Sequence, residues 1–185
     1  LVEKMDAGPV LLQRRTAIGG DETADELHER LSRIGCDAIR ATIDLLVKDP
    51  KASGLQQDES KISLAPKFKK TDGHIAFDRP AHELARRICG LWSWPGASCR
   101  FRSADGRRDE VVALARATVC QARASAVAGP DQCGMLSDVL NVQTPRGELI
   151  VLEIKPAGGK VMTWEAFVNG RHVQPGDRFV PVEPQ

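Results

Sequence analysis

Asp6 is the first residue in this sequence with the setting of a chemical group. It stands in Met5-Asp6-Ala7-Gly8-Pro9-Val10-Leu11-Leu12-Gln13, a carboxylate on a turn before an apolar run. Gly8 relieves backbone sterics and Pro9 fixes φ, so Asp6 is expected at the lip of a strand, where scaffolded loops usually present chemistry. Taken alone, the segment also reads as an ordinary Asx-type turn. The other candidate groups are dispersed. His28, His74, His82 and His172 are far apart; none forms an H-x-x-x-H pair or adjoins a nucleophile, and each reads as a surface histidine. Gly158-Gly159-Lys160 lacks the Walker spacing and has Val161 where a hydroxyl is needed, so it reads as a flexible turn offering Lys155 and Lys160 to a partner. Trp92 and Trp94 could stack on a base, but the preferred reading makes them core plugs at a helix end.

The elements that must position these groups follow from patterning. Val10 to Ile18 reads as a strand. Thr23-Ala24-Asp25-Glu26 has capping-box spacing, and Leu27, Leu31, Ile34 and Ala38, widened by Ile39, Ile43 and Leu46, give a helix to about Val47 that should lie half buried on a sheet. Lys48 to Ser60 is polar, broken by Pro50 and Gly54, and reads as a linker. Beyond it, Ile75-Ala76-Phe77 reads as a short strand. Asp78 is expected to cap a helix with Pro80 in its first turn, burying Ala81, Leu84, Ala85, Ile88 and Leu91 and exposing His82, Glu83, Arg86 and Arg87. Pro95 forbids its continuation. Ser98 to Arg102, Glu110 to Gln121 and Gly147 to Ile154 are extended, with turns at Asp105-Gly106 and Pro145-Arg146-Gly147, and should make a small closed sheet. A short helix capped by Thr163 and stopped by Gly170 follows, then a turn at Gln174-Pro175-Gly176-Asp177-Arg178.

At 185 residues and 42% hydrophobic content, the chain can fill one good core or two small ones. A net charge of +1 points to no partner by itself, so any nucleic-acid surface must come from local clusters such as Lys67, Lys69 and Lys70, or Arg100, Arg102, Arg107 and Arg108. Five cysteines, odd in number and without a C-x-x-C pair, indicate neither a disulfide framework nor a zinc site and fit a reducing cytosol. No apolar run reaches the roughly 20 residues that span a bilayer.

The order of motifs is more specific than any one of them. Met5-Asp6-x-Gly8-Pro9-Val10-Leu11-x-Gln13, the Thr-capped Glu26-Leu27-His28 helix, Gln57-Asp58-Glu59-Ser60, Ala65-Pro66-Lys67, Asp72-Gly73-x-Ile75, Trp94-Pro95-Gly96, Pro156-Ala157-Gly158-x-Lys160-x-Met162 and Pro175-Gly176-Asp177-Arg178 closely resemble methionyl-tRNA formyltransferase over nearly the whole chain. The resemblance implies a fold: the α/β end of a Rossmann-like formyltransferase domain (1–47, incomplete), a linker (48–70), and a mainly β, OB-like C-terminal tRNA-binding barrel (71–185). It also implies a reaction, transfer of a formyl group from 10-formyltetrahydrofolate, without a metal, to the methionyl amino group of initiator tRNA, by a cytoplasmic monomer.

Asp6 matches the family's catalytic Asp, which would orient and charge-stabilise a histidine while the amine attacks and an Asn holds the developing oxyanion. Met5, Ala7 and Gly8 would form the folate-side loop, and Lys67, Lys69, Lys70, Lys155 and Lys160 would contact tRNA phosphates. The catalytic Asn and His are expected upstream of Leu1, leaving the present chain a fragment that is inactive alone. The sequence departs from the pattern at Ala7 for Thr, Ile75-Ala76-Phe77 for Ile-Asp-Trp, Trp92-Ser93 for Asn-Pro, and Gly159 for a basic residue. Two rival readings are a sugar-nucleotide amine formyltransferase and a non-catalytic RNA-binding barrel.

Overall fold

The computed structural model describes residues 2, 3 and 5–183; Leu1, upstream of which the Asn and His are expected, lies outside them. The chain forms two compact units, one of residues 1–18 and 26–67, the other of residues 19–25 and 68–185.

In the first unit, helix α1 (Ala24–Lys48) supplies most of the regular structure. Its limits agree with the Thr23 start and the apolar spacing. The expected half-burial is met only in part: Leu27, Ile34 and Ala38 are half-buried, but α1 has no fully buried residue, and Ile39, Ile43 and Val47 are well exposed. The strand expected over Val10 to Ile18 is absent. A strand persists only where its backbone groups find a ladder partner. Among the described residues only Val10 has one here, exchanging hydrogen bonds with Leu55 at 2.9 and 3.0 Å. Farther on, the Arg30 guanidinium donates to the Thr16 hydroxyl and, at 2.8 Å, to the Ala17 carbonyl, which holds that stretch in irregular form.

The second unit carries the core. Helix α2 (Ala81–Leu91) buries Ala81, Leu84, Ala85, Ile88 and Leu91 and turns His82, Glu83, Arg86 and Arg87 outward, as its 3.6-residue pattern requires. Its N-cap is Pro80 rather than Asp78; the Ala81 N–H is satisfied by the Arg146 carbonyl at 2.9 Å, so no side-chain cap is needed there. Strands β1 (Ala97–Arg102), β2 (Asp109–Val119), β3 (Val142–Gln143), β4 (Glu148–Pro156), β5 (Met162–Thr163) and β6 (Arg178–Val180) form an antiparallel sheet in the order β3-β4-β2-β1-β6, with β5 on the far half of β4. A bulge at Arg116 turns two successive residues, Leu114 and Ala115, into the core.

Residues 134–136 nearly close the sheet. Met135 bridges Arg178 of β6 on one side, and Leu136 bridges Val142 of β3 on the other, so the sheet curls into a barrel. Five aromatics fill one end: Phe101 lies 5.3 Å from Phe167 and 5.7 Å from Phe179 between ring centroids, with Phe77 and Trp164 beside Phe179. Burying each large side chain is worth about 1.5–3 kcal/mol, which makes this cluster a principal stabiliser of the unit.

Ile75-Ala76-Phe77 is not a strand, for among the described residues its neighbourhood has a single parallel bridge, from His74 to Ser98. The in-out alternation survives, since Ile75 and Phe77 are buried while Ala76 is exposed. Helix α3 (Trp164–Arg171) starts where expected, with the Thr163 hydroxyl accepting the Ala166 N–H at 3.2 Å. It runs one residue past Gly170 and ends at His172 in the left-handed conformation. No helix among the described residues is long and apolar enough to cross a membrane.

Candidate catalytic loop and basic surface

In the first unit, Asp6 has φ of 58°, a left-handed conformation that Asp tolerates better than most residues. Met5, Asp6 and Ala7 are exposed and Gly8 is half-buried, so they form a lip. What holds that lip is Gln57. Its side-chain amide donates to the Asp6 carbonyl at 2.8 Å and to the Gly8 carbonyl at 2.7 Å, clamping the two backbone groups that bracket Ala7. The Val10–Leu55 bridge fixes the next turn of chain, and a Cβ on Gly54 would stand 2.8 Å from the Val10 carbonyl, so only glycine allows this approach.

Asp58 locks the following 3-10 turn (Glu59–Lys61). Its carboxylate accepts from the Ser60 hydroxyl at 2.6 Å and the Ser60 N–H at 3.0 Å, and lies 3.0 Å from the Lys61 ammonium. These bonds, the Ser60 hydroxyl first, hold its pKa below the ordinary carboxylate range. Composition alone makes residues 54–60 a polar connection. The signal that could have marked Gln57 as a residue holding the loop was its place in the Gln57-Asp58-Glu59-Ser60 motif that carries part of the resemblance.

The lysines expected to meet phosphate are all exposed. Lys67 belongs to the first unit and the other four to the second. Lys69 and Lys70 sit on a 3-10 turn (Lys70–Gly73) whose geometry is set by Asp72, its carboxylate accepting the Lys69 N–H at 2.6 Å. Lys155 projects from the outer face of β4 and Lys160 from the β4–β5 turn. The arginine cluster is partly neutralised instead, its four guanidinium groups set against two carboxylates, Asp105 and Asp109. Arg100 and Arg102 share Asp109 at 2.8 and 3.2 Å, and the Arg100 hydrogen bond keeps the Asp109 carboxyl below its usual range.

A second departure from expectation is Trp94. It was expected to plug a core, but its side chain is 65% exposed, while Trp92 is half-buried. The cause is the turn at Trp92–Pro95, which ends α2 and lifts Trp94 out of the apolar stripe. Among the described residues no group of three or more His, Cys, Asp or Glu is arranged to hold a metal ion.

Residues 67–172 match the family model described as formyl transferase, C-terminal domain. The chain belongs to the formyl transferase C-terminal domain family. Curated relatives of this family member are methionyl-tRNA formyltransferases. The one from Halorhodospira halophila is 32% identical over 179 residues, covering 95% of this chain and 54% of the relative. That from Nitrobacter hamburgensis is 34% identical over 187 residues, covering 97% and 56%. The chain therefore spans about half the length of the curated relatives it matches. Among solved structures, the crystal structure of HypX from Aquifex aeolicus in complex with tetrahydrofolic acid superposes with a TM-score of 0.61 at 14% identity, over 94% of this chain and 30% of that one. At that identity the match supports a shared fold alone.

Proposed function

We propose that this chain is the C-terminal part of a cytoplasmic, monomeric methionyl-tRNA formyltransferase, in which the Asp6 loop serves formyl transfer and the OB-like barrel binds initiator tRNA. The observation that carries the reading is the reach of the similarity. Relatives of that one name align over 94 to 98% of the chain, so the Asp6 loop and the barrel are covered together.

In this reading 10-formyltetrahydrofolate is the formyl donor and the methionyl amine attacks its formyl carbon. Asp6 orients and charge-stabilises a histidine that this chain does not supply, and a likewise external Asn holds the developing oxyanion. Gln57 presets the Asp6 loop, so little reorganisation is left for the reaction. Met5, Ala7 and Gly8 border the donor. The exposed lysines position the acceptor through its phosphates, which gives salt-dependent binding without reading sequence.

The test is titration of initiator tRNA onto the purified 185-residue protein over a range of salt. Binding should weaken linearly with log salt, and the double charge reversal Lys69→Glu/Lys70→Glu should lower both affinity and slope, the slope by about two. An unchanged slope would remove those lysines from the interface. The same protein should not formylate charged initiator tRNA, and detectable product would overturn the assignment of His and Asn to residues outside it. Binding of a UDP-amino sugar in place of tRNA would transfer the chain to the sugar-nucleotide class.

A further inference from the structure

Eight aromatic side chains occur in the sequence, five Phe and three Trp. Four phenylalanines are buried and Trp92 and Trp164 are half-buried, leaving Phe68 at 58% and Trp94 at 65% exposure. Single exposed apolar side chains are ordinary, so the exposure of these two rings counts only with what surrounds them. Both belong to the second unit, and both adjoin the lysines already assigned to phosphate.

The packing makes that neighbourhood definite. Phe68 directly precedes Lys69 and Lys70. The turn they open ends at Gly73, where a Cβ would stand 2.2 Å from the Gly96 carbonyl oxygen and 3.4 Å from the Pro95 side chain, so the lysine turn lies directly on the Trp94-Pro95-Gly96 loop. On its other side the same loop meets β2, a Cβ on Gly96 standing 4.0 Å from that of Ala113. Ala113 is the cross-strand partner of Lys155. Trp94 is therefore carried on a loop with Lys69 and Lys70 on one flank and Lys155 on the other. The nearest carboxylate on the lysine turn, Asp72, is spent on the Lys69 N–H, and Arg87 reaches the same turn, donating to the Asp72 carbonyl at 2.7 Å.

Exposed rings set among unpaired cations fit an unpaired nucleobase better than a protein surface. The ring takes the base face while the cations hold the flanking phosphates, which is how single-stranded nucleic acid is bound. A duplex offers no free base face except at its ends. Resting on the tRNA-binding reading, we infer that Trp94, assisted by Phe68, is a stacking platform for an unpaired base of the RNA ligand, with Lys69, Lys70 and Lys155 on the adjoining phosphates.

The test uses the whole chain, initiator tRNA, a short single-stranded RNA and a blunt duplex of the same sequence. The single strand should quench tryptophan emission strongly and the duplex, which offers base faces only at its ends, far less. Trp94→Leu keeps an apolar side chain without a π face and should weaken binding of tRNA and single strand about tenfold. Its salt slope should stay unchanged, because stacking releases no counterions. Trp94→Phe should retain most of the affinity while losing the quench, and Phe68→Leu should give a smaller loss than Trp94→Leu. If Trp94→Leu binds RNA as the unaltered protein does, the lysines act alone and the stacking inference falls while the tRNA reading stands. If the unaltered protein binds neither tRNA nor single strand, both fall.

Discussion

One side-chain amide holds the Asp6 loop, and this makes Gln57 the most consequential residue of the first unit. Gln57→Ala should release both carbonyls and cost the loop about 1 kcal/mol locally. Faster amide hydrogen exchange across residues 6–10, with α1 unaffected, is the expected readout. In the second unit, Asp105 and Asp109 are both held below the ordinary carboxylate range, by the Ser103 hydroxyl and by Arg100 respectively. A carboxylate depressed in the folded state contributes stability that is present above its unfolded pKa of about 3.9 and is lost as pH falls through the folded value. Asp109→Asn should therefore lower stability at neutral pH and flatten the acid limb of a stability-against-pH curve. Glu148 is buried and accepts from Arg123 at 3.1 Å and Asn141 at 3.0 Å. Glu148→Ala strands the buried Asn141 amide, while Arg123 keeps Asp138 at 3.1 Å, and should cost about 1–3 kcal/mol, measured by urea unfolding.

At the scale of elements, the contact between the lysine turn and the Trp94 loop leaves no room for a side chain at Gly73. Gly73→Ala must push the two backbones apart and should destabilise the barrel unit by about 2 kcal/mol or more, lowering its Tm by several degrees. Elements with a strong period were legible in the sequence. Helix α2, the Thr163 cap of α3 and the long strands β2 and β4 sit within two residues of expectation because burial and period agree there. What failed depended on partners that pattern cannot display. Among the described residues, Val10 to Ile18 has strand composition but a ladder partner only at Val10, and Ile75 to Phe77 alternates correctly beside one bridge. Residues 134–136, which nearly close the barrel, have no pattern of their own. Trp94 was misplaced for a related reason, since an aromatic at a helix end reads alike whether the following turn faces it inward or out.

The two units differ in how they are held. All the buried hydrophobic residues of the described chain, from Ile75 to Phe179, lie in the second unit, while the described residues of the first have none. Protection from hydrogen exchange should therefore be deepest in β2, β4 and α2 and shallow in α1, whose amides should exchange through local opening. Uniformly deep protection of α1 in the isolated protein would show that its exposed stripe is covered by self-association. The near-closure of the barrel has a further consequence. Among the described residues every strand but the two-residue β5 has a neighbour along both sides for at least part of its length. Such a sheet presents almost no row of open N–H and C=O groups, so it is a poor template for another polypeptide to extend, and edge-to-edge growth into fibres is blocked by the fold itself. Opening the seam at residues 134–136 would expose two strands at once and turn a nearly closed barrel into a nucleus for aggregation.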